Sequence, residues 1–324
     1  MGDEALTVDD RNVGERTVTA RSIGSRAARA LVPGATGRVL ASFSRVCDLV
    51  SDEGAIVALA WGVAEKGPLT VLLDPSPAGE LLACLAAGTT YRAGQGELRM
   101  FPFGPPPVRV DLSGAERWEP RLHWEALQPR REQVRRGGRI VSRILAQARH
   151  PESGLRWDLR LRQATAAVQG AQLRCDQDRL GAAVRDLCGL GEGLTPQGDD
   201  WLAGWLLGLR LAQPQDRSGS SPDPPGALVL DVAATRTTLL SRAFLVCAAA
   251  GEAPESWHLL LSQMAQDPVD GLGLERATRT ILLHGATSGA AMLEGFLAGL
   301  GLPPAPRPPI LGVEYAIHRD EVRL

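Results

Sequence analysis

Residues Gly189–Leu209 read GLGEGLTPQGDDWLAGWLLGL, and this stretch decides how the second half of the chain is read. Gly189, Gly191 and Gly193 alternate ahead of an apolar run, and glycine at that spacing permits unusual backbone angles and close approach by a ligand. Thr195 followed by Pro196 reads as a helix N-cap and first helical residue. The run Trp201–Leu209 is apolar on every side, the pattern of a helix buried all round. The same pattern returns at a constant offset of 91 residues, from Gln197–Leu209 to Ser288–Leu300, SGAAMLEGFLAGL. Gly198, Leu202, Gly204, Leu206, Gly208 and Leu209 coincide with Gly289, Leu293, Gly295, Leu297, Gly299 and Leu300, and Trp205 aligns with Phe296. A repeat of this kind predicts two buried helices packed through small-residue faces. Their pseudo-equivalent starts are expected to face one another across a shared pocket. Thr195 in one copy and Thr287 or Ser288 in the other would satisfy the first N–H groups.

Working outward, Leu155–Leu300 reads almost entirely as helix, with a break at Gln213–Gly226 (QPQDRSGSSPDPPG) expected to be an exposed loop. Trp118–Arg149 also carries apolar residues at helical spacing, such as Ile140, Ile144 and Leu145. The N-terminal half differs. GRVLASFSRVCDLV from Gly37, AIVALAW from Ala55 and PLTVLLD from Pro68 are short β-type runs separated by turn residues. Ala78–Ala87 is expected to be a short helix, and further strands are expected at Thr89–Arg92, Glu97–Phe101 and Val108–Leu112. Strands so closely spaced predict a small barrel or sandwich. The expected fold class is α+β, a β-rich N-terminal barrel or sandwich followed by a larger all-α domain with an internal helical repeat. The expected organisation is a tail and lead-in over 1–35, a β-rich domain over 36–115, a helical domain over 116–302 and a proline-rich tail over 303–324, in which VEYAI would return as an edge strand.

Composition narrows the chemistry. The chain has 324 residues and a formal net charge of −2, so it carries no electrostatic footprint for nucleic acid or an anionic membrane. Of the 35 basic residues only Lys66 is a lysine, in a segment that reads as a loop, which leaves little room for lysine-based covalent catalysis. Five scattered cysteines without C-x-x-C spacing fit reduced thiols, and five dispersed histidines offer no zinc-ligand spacing. The acidic start MGDEALTVDDRN is unlike a signal peptide, and Trp201–Leu209 is too short to cross a bilayer. A cytoplasmic protein is expected.

The glycine loop is the candidate site. Helix-start N–H groups and the positive helix end favour a phosphate or carboxylate there. Asp199 and Asp200 in the first turn would orient a substrate amide, take a proton or hold Mg²⁺ through oxygen ligands; the bland alternative is that they only stabilise the helix dipole. Arg236, Thr237, Thr238 and Ser241, in TRTTLLS, offer a cation and hydroxyls, although the same segment also reads as an ordinary helix start. The loop has neither the lysine of a P-loop nor the preceding strand of a dinucleotide fingerprint. No cofactor is demanded; Mg²⁺ on the aspartates is the one alternative kept.

At these residues the sequence resembles a bacterial family that includes the AllH-type subunit of oxamate carbamoyltransferase. The likeness rests on GLGEGLTPQGDDWLAG, against a family pattern G-x-G-x-G-L-T-P-S-G-D-D, on TRTTLLSRAFL, on SGAAMLEGFLAGL and on the early GRVLASFSRVCDLV. It spans roughly Thr36–Leu300. It implies one component of a multi-subunit enzyme that exchanges a carbamoyl group between oxamate and phosphate in purine (allantoin) breakdown, alongside an FdrA-like subunit and others. The resemblance would place Gly191, Gly193, Thr195, Gly198, Asp199 and Asp200 at the functional loop, with Asp199 and Asp200 as the catalytic candidates; Leu194 and Gln197, in the same loop, are taken with them as ligand-binding candidates. Arg236, Thr237, Thr238, Thr287, Ser288 and Gly289 would complete the ligand site. Gln197 stands where serine is usual. The late motif resembles G-H-S-S-G-W-D in relatives, whereas Gly285–Ala291 here reads GATSGAA and lacks the histidine and aspartate.

Three readings follow. The first is a carbamoyltransferase component binding carbamoyl phosphate, oxamate or phosphate, acting through position and electrostatics because no nucleophile–base pair is visible. The second is a non-catalytic partner subunit or carboxylate-binding protein. The third is a magnesium-dependent hydrolase of the helical ADP-ribosylglycohydrolase kind, against which Ala290 and Ala291 count, since a second helix would have to supply carboxylates there.

Overall fold

The computed structural model describes residues 15–62, 64–74, 85–148, 155–212 and 224–303. The helix expected at Ala78–Ala87 lies mostly outside them, as do the strand expected at VEYAI, nearly all of the C-terminal tail and residues 213–223 of the expected loop. Pro224–Gly226, placed in that loop by the sequence, form the first turn of a helix.

The N-terminal part is an eight-stranded barrel with one extra strand. Its strands are β1 (Arg16–Gly24), β2 (Thr36–Ser42), β3 (Val46–Ser51), β4 (Ile56–Ala60), β5 (Thr70–Leu73), β6 (Thr90–Gly94), β7 (Glu97–Phe101), β8 (Val108–Asp111) and the extra β9 (Glu116–Trp118). The order β5-β4-β3-β2-β6-β7-β8-β1 closes on itself where β1 meets β5 antiparallel, at Ala20↔Leu73 and Ile23↔Val71. Closure removes the sheet edges that an open sheet of this size would expose. β1 is long enough to serve three neighbours. Its first half runs parallel to β8 and its last residues parallel to β9, and its pairing with β5 shifts register between Ala20 and Ser22. The interior is filled by alternate residues, among them Val18, Val39, Leu49, Val57, Leu59, Val71, Tyr91, Leu98, Met100 and Val110.

Two expectations are corrected here. The lead-in over 1–35 contains β1 and a short helix α1 (Ser25–Ala30), so the barrel's closing strand lies before the segment in which the sequence looked for strands. Trp118, read as the start of a helical stretch, ends β9.

Helices make up most of the remaining described residues. They are α2 (Trp124–Leu127, extended by a 3-10 turn Gln128–Arg130), α3 (Arg131–Ala148), α4 (Leu155–Leu173), α5 (Gln177–Leu187), α6 (Gln197–Ala212), α7 (Pro224–Arg236), α8 (Leu239–Ala249), α9 (Glu255–Met264), α10 (Gly271–Leu282) and α11 (Ser288–Gly299). Helix α6 is the core: every residue from Gly198 to Leu211 is buried. Among the described residues no helix is long and apolar enough to cross a membrane.

The two copies of the repeat, α6 and α11, lie backbone against backbone. A Cβ added at Gly204 would stand 1.8 Å from the Met292 carbonyl oxygen, and one at Gly208 2.2 Å from that of Phe296. In return, Gly295 presses on the Trp201 carbonyl at 1.9 Å and Gly299 on that of Trp205 at 2.4 Å. Residue numbers rise together along both helices, so the pair is parallel and both N-termini lie at one end. The glycines at the two helix starts behave alike too. Gly198 abuts the Leu187 carbonyl (2.0 Å) and Gly289 that of Ile281 (1.9 Å), each closing its helix onto the one before.

Barrel and helices are joined at the barrel end where β3 turns into β4 and β5 begins. Val50, Ile56 and Leu69 of the barrel pack with Leu240 and Cys247 of α8. Arg26 pairs with Glu252, and the Glu255 amide donates to the Lys66 carbonyl at 2.9 Å. Glu65 accepts from the Ser256 amide (2.7 Å) and hydroxyl (3.1 Å) and pairs with His284 Nε2 at 2.8 Å.

Candidate functional site

The loop between α5 and α6 is held open by three glycines in the left-handed region, Gly189 (φ 75°), Gly191 (φ 128°) and Gly193 (φ 86°). Two of them are also crowded. A Cβ at Gly189 would lie 2.1 Å from the Arg236 carbonyl oxygen and one at Gly191 2.7 Å from the Gln197 amide nitrogen, whereas Gly193 faces open space. The first two glycines are therefore required by packing as well as by conformation. The loop's outer part, Glu192 to Leu194, is exposed, and its inner part runs under α6.

The expected capping scheme differs from the observed one. Helix α6 begins at Gln197, and the Pro196 carbonyl accepts from the amides of Asp199 (2.9 Å) and Asp200 (3.2 Å). Pro196 thus stands just outside the helix. Thr195 turns its hydroxyl towards Ser288, with 3.3 Å between the oxygens. At the second start Thr287 occupies the N-cap position of α11 without a side-chain capping bond.

Asp199 ties the loop down. Its Oδ1 accepts from the Gly189 amide at 2.8 Å and its Oδ2 from the Thr237 hydroxyl. The neighbouring Thr238 caps α8 by accepting from the Ser241 amide (3.0 Å) while its hydroxyl donates to the Leu194 carbonyl at 2.6 Å. Loop, α6 and the α7–α8 turn are fastened together by three of these bonds, the fourth being the cap of α8 itself. They bring the start of α8 beside the start of α6, and Thr195 with Ser288 brings in the start of α11. Three helix N-termini meet.

Asp200 is the opposite of its neighbour. It is buried (7% exposed), and its Oδ2 has no hydrogen-bond partner. Burial pushes its carboxyl up to about 7, opposed by a hydrogen bond to Ser288 and reinforced by the negative charge of Asp199. The Ser241 hydroxyl is likewise buried without a partner. Beneath the loop, burial drives the Cys188 thiol up to about 12, with Asp199 adding to it, so Cys188 is a neutral packing group at physiological pH.

The structure thus brings together Gly189, Thr195, Asp199, Asp200, Thr237, Thr238 and Ser288, with the Arg236 backbone against Gly189. The Arg236 side chain is exposed. Gly198 and Gly289 are spent on helix packing, and their amides donate to the carbonyls of Leu190 (2.8 Å) and His284 (3.0 Å). Ala286 is exposed and Ala291, the repeat equivalent of Asp200, is buried. Sequence reasoning missed the roles of Cys188, His284 and Glu65. Only a contact map ties Glu65 to this site, since it lies in the barrel's β4–β5 connection yet holds His284, at the entrance to α11.

Among the described residues no group of three or more His, Cys, Asp or Glu side chains is placed to hold a metal ion. Two cavities described in the fold lie elsewhere. One of about 250 Å³ is bounded by Arg131, Glu132, Arg135, Leu211, Ala212 and Leu300, at the opposite ends of α6 and α11. The other is lined by Gln172, Cys175 and Trp205 among others.

Comparison with known proteins gives one family match. Residues 187–300 match the family model described as oxamate carbamoyltransferase subunit AllH. The match begins at the last residue of α5 and ends just beyond α11, so it encloses the glycine loop, the α7–α8 turn and both copies of the repeat. The resemblance drawn from the sequence is shown over these residues. Neither the comparison with curated proteins nor that with solved structures gives a match.

Proposed function

We propose that this chain is a subunit of an oxamate carbamoyltransferase-type assembly and that its three joined helix starts hold a small anion, such as oxamate, phosphate or carbamoyl phosphate. The observation that carries the reading is the convergence of the α6, α8 and α11 N-termini inside the segment that matches the family model. Each helix start contributes the equivalent of roughly half a positive charge, and three at one place favour an anion without any lysine. Thr195 and Ser288, both half-buried, supply hydroxyl donors at the rim, and Gly191 and Gly193 let the loop backbone approach the ligand. In the assembly the group exchanged is the carbamoyl moiety, passing between oxamate and phosphate, with an FdrA-like subunit and others completing the machinery.

A second reading, binding without catalysis by this chain, is favoured by Asp199. Both of its oxygens are engaged by the chain's own donors, which suits a structural clamp better than a proton-transfer group. Under this reading the subunit presents an anion to a reacting group held by a partner.

One experiment tests both. The purified full chain is titrated with oxamate, phosphate and carbamoyl phosphate by calorimetry, and carbamoyl transfer is assayed with the chain alone and with its partner subunits. Saturable binding that is abolished in Gly191→Ala supports the anion site. Transfer that appears only with the partners selects the second reading. Absence of binding by all three anions overturns the site.

A further inference from the structure

We propose that Asp200 is a positioning residue that sets the direction of the Ser288 hydroxyl and thereby couples anion binding to a proton. The inference rests on the anion site proposed above and specifies how that site is regulated.

The geometry is a short chain of side chains leading from the core to the rim. Asp200 lies at its inner end, with one oxygen unpartnered and sealed from solvent. Ser288 comes next, close enough to the Asp200 carboxyl to favour its charged form. Thr195 stands at the outer end, 3.3 Å from Ser288. A serine hydroxyl has one proton to give and lone pairs with which to accept. When Asp200 is a carboxylate it can only accept, so Ser288 gives its proton inward and shows lone pairs to the rim. When Asp200 carries a proton it donates to Ser288, whose own proton then points outward to Thr195 or to a bound anion. The same hydroxyl therefore repels an anion in one state and binds it in the other. The one bond formed is the O–H on Asp200, whose proton comes from solvent; above its midpoint about one proton is taken up with each ligand bound.

The surroundings place the switch in the neutral range. A buried carboxylate with an unsatisfied oxygen is costly, and Asp199 on the same turn opposes a second negative charge. Cys188, in the loop beneath, is neutral at these pH values. Arg236 ends α7 with an exposed side chain, and α8 brings Thr237, Thr238 and Ser241, none of which ionises. Ahead of α11, His284 is paired with Glu65 of the barrel. Burial then holds the Asp200 carboxyl near 7.

The test has a ligand-free arm and a binding arm. In the first, carboxyl resonances of the full chain labelled at aspartate are followed by ¹³C NMR against pH, with Asp200→Asn identifying the signal. A midpoint between pH 6 and 8 is expected, and titration in the ordinary aspartate range overturns the proposal. In the second, the dissociation constant for oxamate is measured from pH 6 to 9. The wild type should weaken by about tenfold per pH unit once Asp200 ionises, with one proton taken up per oxamate in buffers of different ionisation enthalpy. Asp200→Asn, whose amide can donate to Ser288 at every pH, should bind with little pH dependence and surpass the wild type at pH 9. Ser288→Ala should bind weakly at every pH. Binding that is equally pH-independent in wild type and Asp200→Asn overturns the proposal and leaves the anion site standing. A normal NMR result with no oxamate binding at any pH instead removes the anion site and the coupling with it.

Discussion

Gly295→Ala tests the central packing claim most directly, because the residue it adds has nowhere to go. The new Cβ would lie 1.9 Å from the Trp201 carbonyl oxygen, 2.8 Å from its carbon and 2.9 Å from the Trp205 amide nitrogen. All three are backbone atoms inside α6, so no side chain can rotate aside. To reach ordinary contact the two helices must part by about 1.5 Å, and gaps of that order forfeit about half or more of each dispersion contact along the seam. The seam includes Trp201, Trp205, Phe296 and Leu297, all buried. Overpacking of this kind costs about 1–3 kcal/mol and more where backbone cannot yield, while alanine returns about 1 kcal/mol of helix propensity. A net loss of about 3 kcal/mol is expected, lowering the thermal midpoint by about 6–12 °C. Urea unfolding followed by tryptophan fluorescence reads it, since Trp201, Trp205 and Trp257 all sit in the helical core. Gly271→Ala is the control: its added Cβ meets nothing within 4 Å, and it should change stability by less than about 1 kcal/mol. Gly204→Ala should cost as much as Gly295→Ala, yet the double variant should cost less than the sum, because the first methyl already opens the seam for the second. A Gly295→Ala protein as stable as wild type would refute the backbone-to-backbone packing of the repeat.

Three further outcomes follow from the same geometry. Gly189→Ala combines a strained φ with a carbonyl at 2.1 Å and should lose about 3 kcal/mol or more, whereas Gly193→Ala, strained in open space, should lose only about 1 kcal/mol by denaturant unfolding. Asp200 is held near 7 when folded against about 3.9 unfolded, so the stabilisation tied to its proton is complete below about pH 4 and is lost as pH rises through 7; Asp200→Asn should flatten a stability slope of up to about 1.4 kcal/mol per pH unit over that window, read from unfolding midpoints. Glu65→Ala leaves the Ser256 amide and hydroxyl and the His284 ring without their partner and should cost about 1–3 kcal/mol, with faster amide exchange in the 283–289 turn although the change is made in the barrel's β4–β5 connection.

Much of this architecture is written in local pattern. Strands β2 to β8 announce themselves by short β-branched runs between turn residues, and the repeat at an offset of 91 residues announces the α6–α11 pair. β1 escaped because its buried positions include small residues: Val18, Ala20 and Ser22 alternate correctly with exposed Thr17, Thr19 and Arg21, but Ala and Ser carry little hydrophobic signal. The capping scheme escaped for a different reason. Thr195 is a sound N-cap by local rules, and only the tertiary neighbour Ser288 draws it away. Asp199 and Asp200 look interchangeable in sequence; one finds Thr237 and the Gly189 amide, the other is left with a bare oxygen, and that difference is wholly one of long-range contacts.

The direction of packing in the repeat has a consequence for chemistry. Two helices joined by a short turn run antiparallel, and their end charges then cancel in neighbouring pairs. The 91-residue spacing places α7 to α10 between the copies and so permits a parallel pair. Parallel packing sets two positive ends side by side, which is unfavourable by itself and is made good by negative charge at that end. Asp199 supplies some of it and is pinned by Gly189 and Thr237 for the purpose. The repeat supplies no second pair: Ala290 and Ala291 stand where Asp199 and Asp200 stand in the first copy. Under the proposed function, a helix start without its own acid, beside one whose second acid is held near 7, is completed by a small anion.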